Sequence, residues 1–241
     1  LELTILFQNK KGFTLIELMI TLLISSVILG AIFSVFINQQ KSYTTNDKTT
    51  KAQQNLRSAL TIMIREIREA GCDPTGLANA GIIVATKGQL QFTRDIEGHA
   101  INPSEANGDT NGANETISFG FSNTNDQDAN GIADGGGADW STPADLGRDT
   151  GGGFMAIAEN IEAIEFNYIL ADNTSTLAPS SSQLNDIRAV QVSILARTSS
   201  PEQGFTNNST YTTAAGTNWT VNDNYRRRFL STTIQCRNLG Y

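Results

Sequence analysis

Oxygen-bearing side chains stand at every second position through Asp126, Asp128 and Asn130, followed by Gly131, Ile132 and Asp134. Such alternation lets a tight loop turn its oxygens onto a hard cation, with the glycine permitting the bend and Ile132 offering a carbonyl. The pattern makes calcium the one candidate cofactor. The glutamate that would close a full calcium loop is replaced by Gly137, with Asp139 close by. The competing reading is a polar turn whose Asp, Asn and Gly serve backbone geometry alone. The string Asn107, Asp109, Asn111, Gly112 is a weaker echo of the same pattern.

Cys72 and Cys236 are the only cysteines, near opposite ends of the part that follows the apolar N-terminal stretch. Outside the cytoplasm such a pair is expected to be oxidised. The bridge would close a loop of about 165 residues and stabilise by about 4–5 kcal/mol in the chain-entropy account. Two buried free thiols are the alternative. His99, the single histidine, lies in the polar turn IEGHAINP and reads as solvated; one histidine and two cysteines cannot supply a zinc tetrad. The sequence holds no nucleophile elbow, no phosphate-cradling glycine loop and no HExxH. Glu162 and Glu165 form a carboxylate pair without an evident partner acid or base, so an enzyme is not expected.

The remaining chemistry sits in the stretch KKGFTLIELMITLLISSVILGAIFSVFI, where Phe13–Ile37 carries a single formal charge, Glu17. As a helix this run reaches roughly 37 Å, enough to cross a hydrocarbon layer of about 30 Å. Lys10 and Lys11 precede it and would stay in the cytoplasm, sending the C-terminal bulk outward. A carboxylate in such a span is costly unless paired and is functional by default. The alternative is a Glu17 that only snorkels to the interface.

GFTLIELMI at the head of an uninterrupted apolar run resembles the N-terminus of type IV pilins and of type II secretion pseudopilins. The resemblance implies that a prepilin peptidase cuts between Gly12 and Phe13 and that Phe13 is then N-methylated. It also implies that Glu17 pairs with the new N-terminal amine of a neighbouring subunit during assembly. In low dielectric that pair is strongly favoured over either charge alone. Further segments, REAGCDPTG, GRDTGGG, IAENIEAIEFNYIL and YRRRFLSTTIQCRNLG, look like PilW-type minor pilins. The implied partners are other pilins through the N-terminal helix, the prepilin peptidase, and the bacterial inner membrane before display at the cell surface. The implied work is pilus assembly, adhesion or twitching motility. A J-class secretion pseudopilin and an adhesin or DNA-uptake module are the alternatives.

These sites need a scaffold. After Ile37, Ala52, Leu56, Ala59, Leu60, Met63, Ile67 and Ala70 recur at steps of three and four, predicting a helix that continues to about residue 70. Glu66, Arg65, Arg68 and Glu69 are expected on its polar side, and Gly71 and Pro74 stop it. Thr, Asn and Ser between Asn38 and Thr50, and Gly30 before them, predict local bending or melting. Strands are expected at 81–85, 89–94, 116–121, 163–170, 189–196 and 228–236, joined by Gly- and Asn-rich turns. The expected fold class is α+β, a long helix laid on an antiparallel sheet. The expected division is a leader (1–12), an assembly helix (13–37), its amphipathic continuation (38–70) and a β-rich head (71–241). The net charge of −7 argues against a general nucleic-acid surface. The Tyr225–Arg228 cluster is either a grip on a neighbour's carboxylates or a solvated basic approach to the last strand.

Overall fold

The computed structural model describes residues 12–98, 102 and 105–240. The leader residues 1–11, including Lys10 and Lys11, and the predicted polar turn at His99 lie outside the described residues. The chain divides into two compact units, Leu1–Asn46 and Asp47–Tyr241.

A single helix, α1 (Leu15–Ile67), is continuous for 53 residues. It stays helical through 38–50, where melting was expected. Within it the Thr44 hydroxyl turns back onto the Gln40 carbonyl at 2.9 Å, and Asp47 and Lys51, one turn apart, form a supporting ion pair at 2.8 Å. In the first unit the apolar residues from Phe13 to Phe36 are exposed around the whole helix circumference. In the second unit Ala52, Leu56, Ala59, Leu60, Met63 and Ile67 are buried, as their spacing predicts.

The second unit is built on one antiparallel sheet. Its strands are β1 (Ile82–Ala85), β2 (Leu90–Thr93), β3 (Thr116–Gly120), β4 (Ala144–Asp149), β5 (Phe154–Leu170), β6 (Ser175–Thr176), β7 (Ile187–Arg197) and β10 (Arg227–Gln235). The order is β1-β2-β3-β4-β5-β7-β10, with β6 paired to β5. A separate hairpin joins β8 (Thr210–Thr212) to β9 (Asn218–Thr220). The helix is thus packed on an antiparallel sheet, the expected α+β arrangement.

Alternation along β5 sorts its side chains. Ile164, Phe166 and Tyr168 join Leu56, Met63 and Ile67 of α1 in the main core. Ala163 on the opposite face packs with Leu195 of β7 and Trp219 of β9 in a second cluster. The long loop between β3 and β4 crosses β5 at Gly131, whose carbonyl accepts the Ile164 N–H at 2.8 Å. A Cβ at Gly131 would lie 2.1 Å from the Ile164 carbonyl oxygen, and its φ is +82°, so only glycine fits this crossing.

Candidate functional site

The helix start holds the first site. Thr14 precedes α1 and Glu17 stands three residues later. The Thr14 N–H donates to Glu17 Oε2 at 2.8 Å and the Thr14 hydroxyl donates to the same oxygen at 2.9 Å. The Glu17 N–H donates to Thr14 Oγ1 at 3.3 Å. This is a reciprocal capping box: two of the backbone donors left open at a helix start find partners, and the carboxylate sits at the positive end of the helix dipole. Glu17 is thereby drawn back towards Phe13 instead of projecting along the span. Thr14 was not singled out from sequence, although the Thr-x-x-Glu spacing carries the signal.

A second constellation lies in the head. Glu162 of β5, 1% exposed, accepts from Arg227 of β10 on both oxygens, and Arg197 of β7 donates to it at 3.2 Å. Arg227 also holds Asp223 through two nitrogens, each at 2.6 Å. Burial disfavours the Arg227 charge, but the bonds from Asp223 and Glu162 outweigh it and push the guanidinium pKa up. Burial likewise raises Asp223, and the Arg227 bond more than reverses this, leaving its carboxyl low. Arg197 also stacks on the Tyr225 ring at 4.1 Å. Arg226 pairs with Glu202 and covers Phe205.

The Tyr225–Arg228 cluster is therefore neither of the expected surfaces. Arg226 and Arg227 are committed to carboxylates within the chain, and only Arg228 of the three arginines is exposed. Glu66, expected on the polar side of α1, is instead buried and bonded to Arg148 of β4 at 2.7 Å. Glu165 is fully buried, with Lys87 at 3.8 Å.

In the Asp126–Asp134 loop the oxygens are turned onto backbone N–H groups. Asp126 accepts from Asn130 at 3.0 Å and from Gly131 at 2.9 Å. Asp128 accepts from Asn130 N–H at 3.2 Å, Asn130 Oδ1 from Ile132 at 2.7 Å, and Asp134 from Gln127 and Gly136. Among the described residues no group of three or more His, Cys, Asp or Glu converges to hold a metal ion. The donor set does not fit a cation cage, and the alternation functions as turn chemistry.

Burial pushes the Asp126 carboxyl up from 3.8 to about 6; Asp128 beside it adds to this, while the Gly131 and Asn130 N–H bonds oppose it. Because the folded value lies above the unfolded one, this contribution to stability is complete below about pH 4 and is lost as pH rises through about 6. The Asp126→Asn chain should show a flatter dependence of urea midpoint on pH between 4 and 6 than the unmodified chain. Parallel profiles would place the titrating group elsewhere.

Cys72 and Cys236 are free thiols here, unlike the bridge expected for an exported pair. The turns that carry them do adjoin: the Arg237 N–H reaches the Arg68 carbonyl at 3.4 Å and Leu239 packs on Gly71. Cys236 is part of the main core, where burial pushes its thiol up to about 12, suppressing the thiolate that oxidation requires. Cys72 is half-buried, its thiol raised by burial and by Glu69. Iodoacetamide on the native chain should label Cys72 alone, and Cys236 only after denaturation. Failure of both to label until a reductant is added would reveal a bridge.

Three comparisons bear on this arrangement. The model of the family described as "Type IV Pilus-assembly protein W" matches residues 145–238, which hold β4 to β10 and the Glu162–Arg227 cluster. The prokaryotic N-terminal methylation motif matches residues 7–33, which hold Gly12, Phe13 and Glu17. A solved type IV-like pilin from Thermus thermophilus aligns at 16% identity and a TM-score of 0.42, over 78% of this chain and 97% of its own. No curated protein matches the sequence. Residues 145–238 thus match the pilus-assembly protein W family model, and the start of the apolar helix carries the N-terminal methylation motif.

Proposed function

We propose that the chain is a minor subunit of a type IV pilus, acting in pilus assembly and in the adhesion or motility that pili support. A prepilin peptidase cleaves between Gly12 and Phe13, and Phe13 is N-methylated. Before assembly the Phe13–Ile37 segment holds the subunit in the inner membrane, N-terminus in the cytoplasm. During assembly it exchanges lipid for the helices of neighbouring pilins.

The observation that carries this reading is an apolar helix surface exposed on every side, interrupted by one carboxylate pinned at its start. A helix apolar all round is buried by something outside its own chain, either lipid or other helices. Thr14 gives Glu17 a local partner while the subunit waits in lipid, where an unbonded carboxylate is costly. The amine of an incoming Phe13 offers a stronger, charged partner in the filament. Purified, sheared pili test this reading. The chain should be recovered in them, at low abundance relative to the main subunit, and its deletion should lower the number of surface pili. Pili of normal number and composition without it would contradict the assembly role.

A further inference from the structure

The last strand ends the sheet with an open edge. β10 pairs with β7 over nine residues without a register shift. At its two ends the Thr198 N–H donates to the Arg226 carbonyl and the Cys236 N–H to the Arg188 carbonyl. Residues 226 and 236 therefore face β7, and by the two-residue period of an antiparallel ladder so do 228, 230, 232 and 234. The N–H and C=O groups of Phe229, Ser231, Thr233 and Gln235 point away from the sheet. Among the described residues no backbone hydrogen bond reaches them.

Sheet edges are normally guarded by shortness, bulges, proline or inward charge. β10 has none of these between Phe229 and Ile234, a run of six uncharged residues. Charge stands at its ends only. Arg228 is exposed at the start. At the other end Arg188 and Arg237, with Thr233, Gln235 and Leu239, line a cleft of about 690 Å³ that holds no acidic side chain among the described residues. In a chain of net charge −7 this is a local inversion of sign.

The geometry points to β10 as a docking edge for an extended segment of another protein chain, about eight uncharged residues bracketed by a carboxylate at each end to match the spacing of Arg228 and Arg237. A second copy of this strand does not meet that description. Antiparallel self-pairing about Ser231 sets Arg228 opposite the partner's Ile234 and Arg237 opposite the partner's Tyr225, with no carboxylate opposite either, and parallel self-pairing sets each arginine beside its equivalent. Main-chain bonds would supply affinity, and the terminal arginines would select the acidic partner and fix its register.

The edge can be blocked without touching the ladder, because the Ser231 N–H points outward. Ser231→Pro removes that donor and places a bulky ring in the partner's path; every main-chain bond to β7 remains, and only the hydroxyl contact with Ser193 is lost. The probe is a short synthetic peptide of alternating threonine and valine closed by aspartates, compared with the same peptide closed by lysines. Each is titrated against the full chain in detergent micelles. The acid-closed peptide should bind at least about tenfold more tightly, and Ser231→Pro should abolish binding while Ser231→Ala, which loses the same hydroxyl contact with Ser193 but keeps the outward N–H, should still bind. Arg237→Glu, at an exposed side chain, should narrow or reverse the preference between the peptides, keeping the inference testable if the proline variant misfolds. Equal affinity for both peptides, or binding indifferent to Ser231→Pro and Arg237→Glu, would overturn it. A dimer of this chain dispersed by the same proline would assign the edge to a second copy instead and equally overturn the acidic partner.

Discussion

Arg227→Met should destabilise the head by about 3–5 kcal/mol, the loss typical when one member of a buried ion pair is removed. Glu162 has almost no contact with water, and its two oxygens are held by the forked guanidinium of Arg227. Without that fork the carboxylate keeps only the single bond from Arg197 at 3.2 Å, and Asp223 loses both of its bonds to Arg227. The cluster joins β5, β7 and β10, so its loss should loosen the edge of the sheet first. Trp219, buried against Ala163 and Leu195 beside Glu162, reports the transition by fluorescence during urea titration. The double change Glu162→Met with Arg227→Met should recover much of the loss, since no buried carboxylate is then stranded. A single variant within about 0.5 kcal/mol of the parent would show that the cluster is solvated in solution.

Glu17→Ala should leave membrane insertion and leader cleavage intact and remove the chain from filaments. Taking a charge out of an apolar span eases insertion. In the filament the change strands the neighbour's Phe13 amine without its counter-ion, at a cost of about 3 kcal/mol. That corresponds to a fall in incorporation on the order of 100-fold. Glu17→Gln separates charge from capping: its amide oxygen still accepts the Thr14 N–H at the helix start, but it cannot neutralise an amine. The account expects Gln to fail nearly as badly as Ala. Normal incorporation of the Gln variant would mean that Glu17 acts only as the cap seen in its bonds to Thr14.

The helix was legible because its buried face repeats at three and four residues and its span is apolar without interruption. β2, β3, β7 and β10 were legible from alternation and β-branched residues. β4 was not: ADLGRD carries two aspartates, an arginine and a glycine, and becomes a strand because β3 and β5 flank it and Arg148 reaches Glu66. The first half of β5 was missed for a related reason, since its exposed Phe154 and Met155 follow a glycine run that reads as loop. The buried acids were invisible locally. Glu66 and Arg148 stand 82 residues apart in the chain, Glu162 and Arg227 65 apart, and no local pattern pairs them. The Asp126–Asp134 alternation was legible as a loop. Whether oxygens turn onto a cation or onto backbone N–H groups depends on the crossing at Gly131, which spacing along the chain does not encode.

The central claim is that this chain enters a filament through a helix beginning at Phe13, with Glu17 as the one acid of its apolar segment. The mass of its N-terminal peptide, taken from sheared and purified pili, tests this most directly. The account predicts a peptide that starts at Phe13 and carries one added methyl group on its amine. A chain found in pili with residues 1–12 still attached, or one that is cleaved yet never leaves the membrane fraction, would contradict it.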